Sequence, residues 1–176
     1  GVMGVSRVEG RAAWATVCPD PDIWRNHAVG TMVGDIREWE SDDWIKAIDA
    51  KMMTAIFMIK ETVDGMIECG LGRIVNITSG AVKAPIEILG LSNGARAGLT
   101  GFCAGLARKT VRHNVTINGL LPGPFDTDRL RANYQHSAEQ TGRPFDELYA
   151  EGAAKNPAGR FRAPARARRA RRTARP

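Results

Sequence analysis

At 176 residues, with 43% hydrophobic side chains, the chain is long enough to bury the core of one domain, and no apolar run approaches the length of a bilayer crossing. The formal charge of +6 comes from residues 160–176, which hold eight arginines and no acid and leave the remainder at −2. That balance excludes a nucleic-acid-binding surface on the body of the protein. Cys18, Cys69 and Cys103 are odd in number and widely spaced, which argues against a disulfide framework or a metal site and for reduced thiols in a cytoplasmic protein.

Residues 1–18 are ambiguous; residues 8–17 read as a short Ala-rich helix, with no basic-then-apolar signal pattern ahead of it. Pro19-Asp-Pro-Asp22 is a turn, and Ile23-Trp24 a strand start. Residues 30–40 read as loop. Ser41-Asp-Asp-Trp44 has the composition of a helix N-terminus, with acids where the dipole favours them. Ile45, Ile48, Met52, Ile56, Ile59, Val63 and Ile67 then recur every three or four residues, which predicts one long amphipathic helix ended by Gly70 and Gly72. Ile74-Val-Asn-Ile77 is a short buried strand, residues 80–90 a loop and residues 92–111 a second helix. The small residues Gly94, Ala95, Ala97, Gly98 and Gly101 along its first half predict close packing. Val115-Thr-Ile-Asn118 is another strand. Residues 128–154 carry two helical stretches broken at Gly142 and Pro144.

Strand, helix, strand, helix, strand in this order predicts a parallel sheet with right-handed crossovers. Ligands of such sheets bind where the strand ends open. A complete dinucleotide-binding fold also needs a Gly-rich turn after its first strand. Gly1-Val-Met-Gly4 does not qualify, because no strand precedes it.

Three pieces, Gly72-Arg-Ile-Val-Asn-Ile-Thr-Ser79, Gly94-Ala-Arg-Ala-Gly-Leu-Thr-Gly101 and Val115-Thr-Ile-Asn-Gly-Leu-Leu-Pro-Gly123, resemble the second half of the short-chain dehydrogenases/reductases, over residues 22–131. The resemblance implies an α/β fold: a partial, Rossmann-like three-layer fold whose parallel sheet has flanking helices and whose N-terminal βαβ half is missing. It implies one truncated domain over residues 1–158, with a substrate-covering lid at residues 128–154. The family's Asn-Asn-Ala-Gly falls on Asn26-His27-Ala28-Val29. Asn26 and Ala28 match; His27, otherwise a turn-end histidine, and Val29 do not. Of the four catalytic positions, Ser79 matches the family serine, while Ser92 stands for Tyr, Arg96 for Lys and Lys51 for the helix Asn. A serine lacks the acidic phenol, and an arginine keeps charge but cannot shuttle a proton. Pro122-Gly-Pro-Phe-Asp-Thr127 resembles the loop that holds the nicotinamide carboxamide, which implies cofactor contacts at Pro122, Gly123 and Thr127; a simple strand-end turn is the other reading. Tyr134 and Tyr149 fall in the lid and are expected to be exposed.

By resemblance the activity is NAD(P)-dependent carbonyl reduction or alcohol oxidation on a small molecule, similar to 3-oxoacyl-carrier-protein reductases. The missing Gly-rich turn predicts weak cofactor binding, because the pyrophosphate loses its main backbone donors, and the substitutions predict impaired or absent turnover. Helix pairing in the family implies a homo-oligomer, with no membrane or nucleic-acid partner. The alternatives are a non-catalytic oligomerising pseudoenzyme, or a binder of nucleic acid or an acidic partner through the tail. Residues 159–176 are rich in Arg, Ala and Pro and are expected to be disordered. They read either as a frameshifted end or as a selected basic tail.

Overall fold

The computed structural model describes residues 21–27 and 31–163. The chain divides into two compact units, residues 1–122 and residues 123–176. The expected helix at 8–17 and the positions Ala28, Val29 and Gly30 lie outside the described residues.

The first unit is built on three parallel strands in the order β1 (Ile23–His27), β2 (Gly72–Ile77) and β3 (Val115–Leu120). The register places Trp24 beside Ile74 and Ile74 beside Ile117. Side chains of a strand alternate between faces, so these three share one face. Against that face pack Met58, Ile59 and Met66 of helix α2 (Thr54–Cys69), with Cys103, Leu106 and Ala107 of helix α3 (Gly90–Thr110) alongside. Two successive right-handed crossovers that step in the same direction along a sheet put both helices on the same side, as found here. The architecture is therefore the Rossmann-like α/β arrangement expected, a parallel sheet flanked by helices.

The long helix differs in detail from its prediction. Helix α1 (Ser41–Ile48) takes Glu40 as its N-cap rather than Ser41, and the Asp43 carboxylate accepts from the Glu40 N–H at 3.1 Å. A π-helical turn, Asp49–Met53, then separates α1 from α2, and the Thr54 hydroxyl donates to the Asp49 carbonyl at 3.0 Å. The wider turn rotates the buried face. Ala47, Lys51, Thr54, Ala55, Met58, Ile59, Thr62 and Met66 are buried, whereas Ile45 of the predicted stripe is 61% exposed. In α3, Gly94 lies against the Trp44 ring and Gly98 against the Met52 sulfur, so small residues do bring these helices together. Gly101 faces open space.

At the N-terminal ends of the strands, Asn114 takes a left-handed conformation (φ 58°) and its side chain donates to the Gly70 carbonyl at 2.9 Å. The Arg73 guanidinium donates to the Asn114 main-chain carbonyl at 2.6 Å and to its Oδ1 at 3.1 Å. These bonds fix both strand entries and leave the opposite ends for ligand chemistry.

The second unit holds helices α4 (Asp128–Thr141) and α5 (Phe145–Ala154), broken at Gly142 and Pro144 as predicted. Tyr134 and Tyr149 are not exposed as expected: both are half-buried, with ring centroids 5.6 Å apart. They gather around Phe161, which lies in the segment expected to be unfolded. Phe161 is buried, and Arg162 forms a parallel bridge with Phe125. Residues 164–176 lie outside the described residues.

Candidate functional site

The C-terminal ends of β2 and β3 are joined by backbone bonds. The Thr78 N–H donates to the Leu120 carbonyl at 2.8 Å, and the Gly80 N–H to the Pro122 carbonyl at 3.3 Å. Pro122 thus acts here through its carbonyl. Ser79 follows β2 and caps a short 3-10 turn, its hydroxyl accepting from the Ala81 N–H at 3.1 Å. That bond is local, and the hydroxyl keeps its own proton to donate.

Helix α3 brings Ser92 and Arg96 to this end. They stand four residues apart and so share a helix face. The Arg96 Nε donates to the Ser92 hydroxyl at 3.0 Å, and its Nη1 reaches the Ile77 carbonyl at 3.4 Å. Ser92 is buried and Arg96 half-buried. The pair can hold a hydroxyl or an anion through the guanidinium. It does not supply an acid: an alkyl hydroxyl has no accessible proton to lose, and a guanidinium keeps its charge throughout the working pH range.

Lys51 lies on the π-helical turn and is 2% exposed. The same turn places Met52 against Gly98 of α3, so the segment packs on the helix that carries Ser92 and Arg96. Asn26 is buried near the end of β1, in register with Asn76 of β2. Sequence reasoning passed over Asn76. It is 2% exposed, and its Nδ2 donates to the Cys103 sulfur at 3.3 Å, while its Oδ1 has no hydrogen-bond partner. The available signal was a polar residue at the inward position of the alternation Ile74-Val-Asn76. Burial pushes the Cys103 thiol up to about 11, so it meets Asn76 as a neutral thiol.

Gly123 and Thr127 belong to the second unit. A side chain at Gly123 would meet nothing, and the Thr127 hydroxyl caps α4, accepting from the Leu130 N–H at 3.3 Å. Nearby, the Arg131 guanidinium holds Asp126 below the usual carboxylate range, with a further contribution from the Tyr149 hydroxyl. Tyr149 is shifted up, first by burial and then by Asp126. Among the described residues no group of His, Cys, Asp and Glu could hold a metal, and no helix is long and apolar enough to cross a membrane.

A family model described as short chain dehydrogenase matches residues 20–138. Acetoacetyl-CoA reductase of Cupriavidus necator is 35% identical over 113 residues, 63% of this chain and 45% of that protein. A 3-oxoacyl-[acyl-carrier-protein] reductase of Vibrio harveyi is 31% identical over 117 residues, covering 65% and 47%. The chain thus spans about half the length of the curated relatives it matches. Among solved structures, an actinorhodin polyketide ketoreductase variant with NADPH aligns with a TM-score of 0.81 at 23% identity, over 93% of this chain and 65% of that one. L-sorbose reductase of Gluconobacter frateurii with NADPH aligns with a TM-score of 0.80 at 23% identity, over 93% and 64%. At that identity the structural likenesses speak to the fold alone.

Proposed function

The chain belongs to the short-chain dehydrogenase family, and from that membership we propose an NAD(P)-linked oxidoreductase fold whose catalytic step, carbonyl reduction or alcohol oxidation, is lost or strongly impaired. The observation that carries the reading is the Ser92–Arg96 hydrogen bond, which occupies the positions where the family keeps its proton donor and the lysine that tunes it. In place of a phenol and an ammonium stand a hydroxyl and a guanidinium joined by one hydrogen bond.

The first unit's residues suit a weak hold on a nicotinamide ribose and do not suit proton transfer. A bound nicotinamide supplies or accepts a hydride. Arg96 would offer its guanidinium to a ribose hydroxyl, and Asn26 lines the end of β1. Ser79 would donate to a substrate oxygen. In the second unit, Gly123 and Thr127 are the positions that correspond to the family's carboxamide contact. Binding is expected to be weak because two of Arg96's donors are already engaged by Ser92 and Ile77. The substrate class, by its relatives' names, is a small carbonyl compound or an acyl thioester.

Titration of the full chain with NADPH and NADH, followed by tryptophan fluorescence, tests this reading. A shallow curve without saturation below about 1 mM is expected. A micromolar dissociation constant, about −8 kcal/mol, contradicts it.

A second reading, a non-catalytic protein that assembles with copies of itself, is favoured by the outer faces of the long helices. Ile45, Ile48 and Phe102 are exposed, and Gly101 and Gly105 meet nothing. Light scattering on the eluted protein distinguishes a dimer or larger species from the 19.1 kDa monomer.

A further inference from the structure

Helices α4 and α5 contain no buried residue. Among the described residues of the second unit, the only side chain in the buried class is Phe161, which comes after both helices. Its ring lies 5.7 Å from that of Tyr134 on α4 and 4.8 Å from that of Tyr149 on α5. The segment is held at several points. The Asn156 side chain donates to the Arg160 carbonyl at 3.0 Å, Gly159 turns the chain at φ 63°, and the Asp126 N–H donates to the Arg162 carbonyl at 2.8 Å. Gly152 of α5 makes room for it. A Cβ there would stand 3.1 Å from Phe161 Cζ and would collide with the Tyr134 hydroxyl.

A helical pair without buried side chains of its own has little to offset the entropy of ordering it. Regions with few buried apolar contacts open locally, at lower free energy than a sheet core. We propose that residues 159–162 are a strap that closes the α4–α5 hairpin through Phe161, so that seating and unseating of this one ring switches the hairpin between ordered and open states.

The test is amide hydrogen exchange on the full chain, with near-UV circular dichroism of tyrosine as a second readout. Both tyrosines lie in the hairpin, and all four tryptophans precede residue 45. In Phe161→Ala, exchange across residues 128–141 and 145–154 is expected to accelerate by at least about tenfold, while β2 and β3 keep their protection. Gly152→Val, which crowds Tyr134 and Phe161 without removing either ring, should give the same pattern, and Phe161→Leu should retain most of the protection. In the unmodified chain the two helices should exchange together and faster than β2. Unchanged hairpin protection in both Phe161→Ala and Gly152→Val overturns the proposal. So does an equal loss of protection in β2 and β3.

Discussion

The Arg96 Nε donates to the Ser92 hydroxyl across one helical turn at 3.0 Å, and this bond joins stability to the candidate chemistry. Ser92 is buried, so its oxygen is part of how a half-buried guanidinium is satisfied. Replacing it removes an acceptor from a charged donor. Ser92→Ala is expected to lower stability by about 1–3 kcal/mol, seen as a lower urea midpoint at unchanged slope. A midpoint equal to that of the parent would mean that solvent replaces the bond at no cost.

Two glycines should respond in opposite ways. At Gly72 an added Cβ would stand 2.7 Å from Met66 Cβ, where α2 presses on the start of β2. Gly72→Ala is expected to cost about 1–3 kcal/mol. Gly101, inside α3, meets nothing, and Gly101→Ala should stabilise by up to about 1 kcal/mol through helix propensity. Thermal melts of both variants check the pair.

The strands were legible because each apolar run has a clear start: Gly72 opens β2, and Asn114, at positive φ, precedes β3. The four-residue spacing of Ser92 and Arg96 is by itself enough to put them on one helix face. The π-helical turn was not legible, since a shift in backbone bonding leaves no mark on apolar spacing. Ile45 of the predicted stripe is exposed, whereas Lys51 on that turn is buried. Phe161 was hidden for another reason. A single aromatic among Arg, Ala and Pro falls below any compositional signal, yet one ring suffices when two tyrosines are waiting for it.

Cys103 and Cys69 should separate by reactivity. Burial pushes the Cys103 thiol up to about 11, while Cys69 is exposed. Iodoacetamide at pH 8, with peptide mapping by mass spectrometry, should label Cys69 well before Cys103, because the thiolate is the nucleophile. The linkage has a definite sign. The folded state holds this proton more tightly than the unfolded chain, so the contribution to stability is complete below the ordinary thiol value of 9.0 and is lost as pH rises from there towards about 11. Cys103→Ser should flatten that alkaline loss.

Asp126 titrates in the opposite sense. Its hydrogen bond from Arg131, 2.8 Å from Nε to Oδ1, lowers its proton affinity. The stabilising contribution is present above its ordinary value and fades as pH falls below it. Asp126→Asn should remove this acid-side dependence from the tyrosine near-UV signal of the second unit, and an unchanged profile would show that the pair does not hold the helices.

The proposed loss of a proton donor at position 92 is tested most directly by NADPH oxidation, followed at 340 nm, with the full chain and acetoacetyl-CoA or a small ketone. The expected rate equals that of cofactor and substrate without protein, both for the parent chain and for Ser92→Ala. Turnover by the unmodified chain that disappears in Ser92→Ala would contradict the reading, because a hydroxyl held by Arg96 would then be performing the step assigned to a phenol.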